Sequence, residues 1–171
     1  KFTNVTNGIA HRRWLCQSNP ELCSLLDDCI GGKYVSDAQV LTEFKKFEND
    51  KAVLEQLNKI KQIKKNQFCE YAKKRQGVVI DPNSMFDVQA KRLHEYKRQL
   101  MNALYIIDLY NELKENPDKE MTPKTFIFGA KAAPGYFFAK QIIKLICCLS
   151  EEIKKDPKIS KKLNVVYMED Y

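Results

Sequence analysis

The sequence has 171 residues, which is the size of about one domain. It is 44% hydrophobic and 30% charged, a composition that excludes a disordered chain. Lys and Arg (29) outnumber Asp and Glu (22), and the net charge of +7 favours anionic partners without choosing among them. No apolar run is long enough for a transmembrane helix, and the first residues contain no apolar signal core. We therefore expect no membrane association and no secretion signal.

The cysteine and histidine content is not that of a disulfide framework or a zinc site. The cysteines are Cys16, Cys23, Cys29, Cys69, Cys147 and Cys148, with no Cys-x-x-Cys pair, and there are only two histidines. Several of these cysteines lie within apolar helical patterns rather than in a small, loop-rich scaffold. We expect a reducing, cytoplasmic location and no structural metal.

Helical patterns come first along the chain. Asn19 followed by Pro20 is a typical helix start, and Gly31 with Gly32 ends that helix. Ser36, with Gln39 three residues later, predicts a capping box at the start of a second helix. A third helix runs to about Arg75.

The third helix has one apolar and one basic face. Its apolar stripe consists of Val53, Leu57, Ile60 and Ile63, and its basic face of Lys59, Lys61, Lys64, Lys65, Lys73 and Lys74. A face of this kind usually faces solvent, so we assign it no partner.

The pattern changes after Gly77 to alternating strands and helices. Strands are predicted at 86–90, 125–128 and 163–168, and helices between them, the first starting at about Glu95. This order is typical of a parallel sheet. We therefore predict an α/β fold: a helical segment, 1–77, followed by a partial Rossmann-like domain, 78–171. Three parallel strands make an incomplete sheet, so we expect the chain to be part of a longer protein.

The densest group of charges lies where the first strand ends and the next helix begins. Lys91, Arg92, Lys97 and Arg98 fall within eight residues there. Cations at a helix N-terminus are suited to phosphate, although a solvated basic turn would have the same composition. His94, in the same stretch, has either an acid–base role or a simple hydrogen-bonding one.

The remaining candidates from the residues alone are weaker. The loop from Gly129 to Gly135 has neither a dinucleotide-binding nor a P-loop spacing, and it is better explained as a tight strand-to-helix connection. Lys131 in that loop contacts either an anion or water. Basic helix faces without interleaved aromatic residues do not indicate nucleic-acid binding.

Three stretches together resemble the α-glucan phosphorylases. They are Thr6-Asn7-Gly8-Ile9 with Arg12-Arg13-Trp14, the run from Asn83 to Leu100, and the run from Gly129 to Ile146. They occur in the family's order and with its spacing, and the similarity extends from Thr3 to Tyr171.

The resemblance implies an activity and a fold. The family transfers a glucosyl unit from the non-reducing end of an α-1,4-glucan to inorganic phosphate, which gives glucose 1-phosphate. Its cofactor is pyridoxal 5′-phosphate, bound as a Schiff base, and the cofactor phosphate exchanges a proton with the substrate phosphate. Two Rossmann-like domains form a GT-B glycosyltransferase fold, and the enzyme is a homodimer. This chain resembles the first part of the C-terminal domain.

The resemblance also implies roles for the basic stretch. Arg92 matches the arginine that binds the substrate phosphate, and Lys97 the lysine that contacts both phosphates. These two are the implied catalytic residues. Lys91 matches the lysine beside the cofactor's 5′-phosphate.

Further roles are implied outside that stretch. Asn7 matches the asparagine that hydrogen-bonds the glucosyl unit, while Trp14 and Tyr171 match residues beside the cofactor. Tyr136 matches an aromatic residue that stacks ligands at an inhibitor site near the cleft entrance, and His94 is the second residue of this candidate aromatic site.

Some features depart from the family pattern. Ala10-His11 replaces a common Thr-Pro pair, and Asp170 stands where Asn is usual. The motif that contains the Schiff-base lysine is not in these 171 residues, so we expect the chain alone to be inactive. The alternative interpretation is a short non-catalytic module that binds phosphate or a phosphosugar.

Overall fold

The computed structural model describes residues 2–5 and 8–169. The first part is helical: a π-helical turn at Arg13–Gln17, α1 at Pro20–Ile30, 3₁₀ helices at Gly32–Val35 and Ala38–Phe47, and α2 at Lys51–Gln76. The second part alternates: β1 at Met85–Ala90, a 3₁₀ turn at Glu95–Lys97, α3 at Gln99–Glu115, β2 at Lys124–Gly129, α4 at Phe137–Lys154 and β3 at Leu163–Met168.

The chain divides into two compact units, Lys1–Gln67 and Phe68–Tyr171, with the division inside α2. In the first unit, α1 begins as its sequence predicts, because the Asn19 side chain accepts a hydrogen bond from the backbone N–H of Leu22 (3.2 Å). Its buried apolar side chains are Leu25, Leu26, Tyr34 and Val53.

Two expectations for the first unit need correction. The capping box at Ser36 and Gln39 is wrong. Asp37 is the N-cap instead: its carboxylate accepts from the N–H of Gln39 (3.0 Å), while Ser36 still has helical dihedral angles and its hydroxyl donates to the carbonyl of Lys33 (3.0 Å). The lysine face of α2 is also not wholly solvated, since Lys64 is half-buried in an ion pair with Glu21.

The second unit is built on a parallel sheet in the order β1-β2-β3, which confirms the predicted α/β fold. Side chains of the central strand alternate between two apolar clusters. Phe126 and Phe128 are buried in the cluster to which α3 and α4 contribute, and Ile127 packs on the other face with Ala72 from the last turns of α2. Both faces of β2 are therefore covered, as its continuous apolar run requires.

The predicted start of α3 near Glu95 is four residues too early. Glu95–Lys97 forms a separate 3₁₀ turn, and Arg98 then adopts a left-handed conformation (φ 66°) before α3 begins at Gln99. The left-handed residue breaks the helical path, so the basic stretch is a shaped turn rather than the first turn of the helix. Among the described residues, no helix is long and apolar enough to cross a bilayer.

Candidate anion-binding site

The loops that follow β1 and β2 lie side by side at the carboxyl edge of the sheet. The backbone N–H of Lys91 donates to the carbonyl of Gly129 (2.9 Å), and that of Leu93 donates to the carbonyl of Lys131 (3.1 Å). The strand pairing thus continues two residues beyond the regular ladder. It places the basic stretch beside the loop that leads into α4.

A buried amide holds the start of the basic stretch. Gln99 is 1% exposed, and its side-chain amide donates to the carbonyls of Lys91 (3.3 Å) and Arg92 (3.1 Å). Its side-chain oxygen accepts from the N–H of His94 (3.4 Å). Gln99 thus supplies partners for two backbone carbonyls and one N–H of residues 91–94, and the Lys91 and Arg92 side chains remain exposed.

A second amide pair holds the end of the stretch. Gln89 in β1 donates to the carbonyl of Lys97 (2.9 Å), and Asn102 in α3 donates to the side-chain oxygen of Gln89 (3.0 Å). Neither Gln89 nor Gln99 was among the site residues predicted from the sequence. A neutral amide next to a run of charges is the only local signal that could have found them.

Within residues 8–169, the four cations of the basic stretch have no carboxylate as an ion-pair partner. Lys91, Arg92 and Arg98 are exposed and Lys97 is half-buried, and within residues 8–169 none of the four forms an ion pair with a carboxylate. In the same part of the chain, α3 and α4 both begin without a side-chain cap. The positive end of each helix dipole therefore adds to the cations, and this arrangement would suit an anion.

An aromatic group lies next to the cations. The Tyr136 hydroxyl donates to the Glu95 carboxylate (2.9 Å), and the ring centroids of His94 and Tyr136 are 5.4 Å apart. The ring centroids of His94 and Tyr96 are 4.5 Å apart, with the rings tilted by 53°, and the Lys97 ammonium lies 5.5 Å from the Tyr96 centroid. Partial burial and then the bond to Glu95 raise the pKa of Tyr136. The fold thus brings His94 and Tyr136, predicted together from the sequence, into contact.

Trp14 belongs to the first unit, in the π-helical turn, and its side chain is 65% exposed. Asn7, Asp170 and Tyr171 lie outside the described residues.

Comparisons with known proteins give a consistent result. The profile of the carbohydrate phosphorylase family matches residues 1–171. Over all 171 residues, the chain is 46% identical to the liver glycogen phosphorylase of Ovis aries, 47% to that of Homo sapiens and 46% to the glycogen phosphorylase of Bacillus subtilis (strain 168). The chain spans about a fifth of the length of these relatives, 20%, 20% and 21% respectively.

Proposed function

Because the chain belongs to the carbohydrate phosphorylase family, we propose that it forms the phosphate-handling part of an α-glucan phosphorylase. The reaction would transfer a glucosyl unit from an α-1,4-glucan to inorganic phosphate and yield glucose 1-phosphate. One observation supports this role most directly: the cations of 91–98 have no carboxylate partner within residues 8–169, while the side-chain amides of Gln89 and Gln99 hold their backbone in place.

Arg92 and Lys97 differ in the shape of their charged groups, and we assign them different roles. The planar guanidinium of Arg92 presents a fork that matches two phosphate oxygens, and we assign it to the substrate phosphate. Lys97 is a point charge restrained by Gln89 and by its own half-burial, so it would hold its position as charge develops on phosphate. Both groups would bind and stabilise the phosphoryl oxygens.

The same edge fits the phosphate group of pyridoxal 5′-phosphate. Lys91 and Lys97 would hold that dianion with the free N–H groups of the two helix starts, and Trp14 and Tyr171 would lie along the cofactor. When bound, the cofactor supplies a phosphate that acts as acid and base towards the substrate phosphate. We do not assign a Schiff-base lysine to any residue of this chain.

The remaining assignments follow from the family alone. We propose that the whole protein is a cytoplasmic homodimer, that Asn7 hydrogen-bonds the glucosyl unit, and that His94 and Tyr136 form an aromatic ligand site beside the cleft. The His94 and Tyr136 ring centroids, 5.4 Å apart, lie within the range of about 4.5–7 Å that aromatic pairs adopt, and a planar ligand inserted between the two rings would replace their contact. The division at 77 remains our proposal for the start of the Rossmann-like domain.

The test uses the intact protein that contains this chain. Phosphate-dependent formation of glucose 1-phosphate from glycogen or maltodextrin is measured for the unmodified protein, Arg92→Gln, Lys97→Gln and a control, Lys74→Gln, on the exposed face of α2. We expect the Arg92 and Lys97 variants to lose about 10²–10³-fold in kcat/KM for phosphate, because each lacks a cation that stabilises charge in the transition state. The control should retain full activity.

Two results would contradict the proposal. One is full activity in both site variants. The other is a native protein that binds inorganic phosphate but forms no glucose 1-phosphate, which would favour the non-catalytic binding module. We also expect the 171-residue chain alone to release no glucose 1-phosphate, and product formation by it would show that the expectation is wrong.

A further inference from the structure

The basic stretch contains one carboxylate of its own, which lies among the cations in sequence. Glu95 is three residues after Arg92 and three residues before Arg98, and all three residues are exposed. A carboxylate at this position competes with an anionic ligand, because each guanidinium that it pairs with is no longer available to phosphate. The position of the Glu95 side chain therefore matters for the proposed site.

Both arginines are within reach of Glu95. Three residues of chain span at most about 11 Å, less than the combined length that two long side chains add to the backbone. The Arg98 N–H donates to the Glu95 carbonyl (3.2 Å), and residues three apart in a 3₁₀ turn lie one above the other. Even so, in the part of the chain that the structure describes, Glu95 forms no ion pair.

The Glu95 carboxylate is instead bound to Tyr136, in the loop that precedes α4. The Tyr136 hydroxyl donates to Glu95 Oε1 (2.9 Å). Tyr136 is itself well anchored: its N–H donates to the carbonyl of Ala133 (3.0 Å), and its carbonyl accepts from the N–H of Lys140 (3.2 Å). Its ring is half-buried and packs edge-on against His94 (5.4 Å). The tyrosine is thus a fixed point to which the exposed glutamate is tied.

A phenol is suited to this task because it is a neutral donor. It binds the carboxylate without using one of the cations, and it adds no charge of its own to the site. Partial burial, followed by the bond to Glu95, raises the pKa of Tyr136, so the hydroxyl keeps its proton at neutral pH.

We propose that Tyr136 is a positioning residue of the anion site, whose hydroxyl holds the Glu95 carboxylate away from Arg92 and Arg98. The inference rests on the proposed phosphate-binding role of the basic stretch. Without the hydroxyl, Glu95 pairs with one of the arginines, and phosphate has to displace it. The contact therefore acts on the affinity for phosphate more than on the chemical step.

A tie that only stabilises the two loops would behave differently. Tyr136→Phe removes the hydrogen bond and leaves the Glu95 charge in place. Glu95→Gln removes the charge and keeps an oxygen that accepts from the Tyr136 hydroxyl. If the bond matters only as a tie, its loss is equally harmful with or without the charge. If it restrains a competing charge, its loss is harmless once that charge is gone.

The experiment titrates the intact protein with inorganic phosphate in a calorimeter and measures kcat and the KM for phosphate. We expect Tyr136→Phe to raise Kd and KM about 2–5-fold, the competition expected from an exposed ion pair, with a smaller effect on kcat. Glu95→Gln should bind phosphate at least as tightly as the unmodified protein. In the Glu95→Gln background, Tyr136→Phe should change neither constant.

Matched controls are Tyr105→Phe, at an exposed position on α3, and Glu151→Gln, at an exposed position on α4. Both should bind phosphate as the unmodified protein does, and circular dichroism of Tyr136→Phe, which keeps its ring, shows whether the fold is retained. The proposal is overturned if Tyr136→Phe binds phosphate normally, if it weakens binding equally in both backgrounds, or if Glu95→Gln alone weakens binding.

The calorimetric result does not depend on catalysis. A protein that shows the expected affinities but forms no glucose 1-phosphate would support the positioning role of Tyr136 and contradict the proposed phosphorylase function. An active enzyme whose phosphate affinity does not respond to Tyr136→Phe would do the reverse. A protein that binds no phosphate would overturn both proposals.

Discussion

Gln99 is a neutral side chain that follows four cations, and it is only 1% exposed. The three hydrogen bonds of its side chain hold the backbone at Lys91, Arg92 and His94. They therefore determine the points from which the Lys91 and Arg92 side chains extend. At the scale of single residues, we propose that the charges supply affinity for an anion, while uncharged amides position the backbone that carries them. A similar division holds for Gln89, which restrains Lys97.

Replacing Gln99 by alanine should therefore affect stability as well as the site. Two backbone carbonyls and one N–H lose their partner in a buried place, so we expect the free energy of unfolding to fall by about 1–3 kcal/mol. Urea unfolding measures this. Gln141→Ala, at an exposed position on α4, is the matched control and should change stability little. An equal loss of unfolding free energy in both variants would mean that the hydrogen bonds of Gln99 contribute nothing to stability.

The raised pKa of the Tyr167 phenol predicts that the free energy of unfolding falls at alkaline pH. Its hydroxyl donates to the carbonyl of Ala130 (2.7 Å), and burial, ahead of the Cys147 and Glu169 charges, raises its pKa to about 12. In the unfolded chain the same phenol has the ordinary tyrosine pKa of about 10. The stability contributed by neutral Tyr167 is therefore complete below pH 10 and is lost as pH rises towards 12.

Unfolding in urea at a series of pH values from about 9 to 11.5 measures this loss. Tyr167→Phe should make the decline shallower, because the variant has no phenol to ionise. Tyr71→Phe, at an exposed position on α2, should leave the slope unchanged. An identical slope for wild type and Tyr167→Phe would count against the assignment.

At the scale of elements, helix ends are decided by single residues with special conformations. Asn19 caps α1 by its side chain, whereas Gly31 ends it with φ 70° and ψ 168°, a conformation that essentially only glycine adopts. The start of α3 depends on Arg98 at φ 66°, which no glycine or asparagine marks in the sequence. This explains why the end of α1 was predictable and the start of α3 was not.

Gly31→Ala and Gly32→Ala form a matched pair that tests this explanation. A Cβ at Gly31 meets no atom within 4 Å, but its backbone is strained by the positive φ, so we expect a loss of about 1–2 kcal/mol in unfolding free energy. At Gly32 the nearest atom is an Asp27 oxygen at 3.7 Å, an ordinary contact, and no positive φ is required. Thermal or urea denaturation should separate the two variants, and equal stability would refute the explanation.

At the scale of the whole molecule, the two units differ in how much apolar surface they bury. The second unit has extensive clusters on both faces of the sheet, with Phe126 and Phe128 at most 1% exposed. The first unit contains the 3₁₀ helix Ala38–Phe47, which has no fully buried residue. Local opening should therefore cost least in the first unit.

Hydrogen exchange followed by mass spectrometry tests this difference. We expect the backbone amides of β2 to exchange most slowly, because the strand pairs on both edges and is buried on both faces. Peptides from Ala38–Phe47 should exchange much faster under the same conditions. Comparable protection of the two segments would mean that the chain opens as one cooperative unit.

The sequence by itself determined what depends on local pattern. Apolar periodicity and helix signals predicted α1, α2, the buried strands β2 and β3 and the parallel sheet, and the density of charge predicted an anion site at 91–98. Family resemblance added the proposed chemistry, which geometry alone does not test.

Only the tertiary structure decided which groups meet across the chain. The Tyr136–Glu95 hydrogen bond joins residues 41 positions apart, and the Lys64–Glu21 ion pair joins α2 to α1. The physical reason is that hydrophobic periodicity records which face of an element is buried, whereas contacts between elements depend on how the buried faces pack. For this chain, the sequence set the elements and their charges, and packing set the positions of Gln99, His94 and Tyr136.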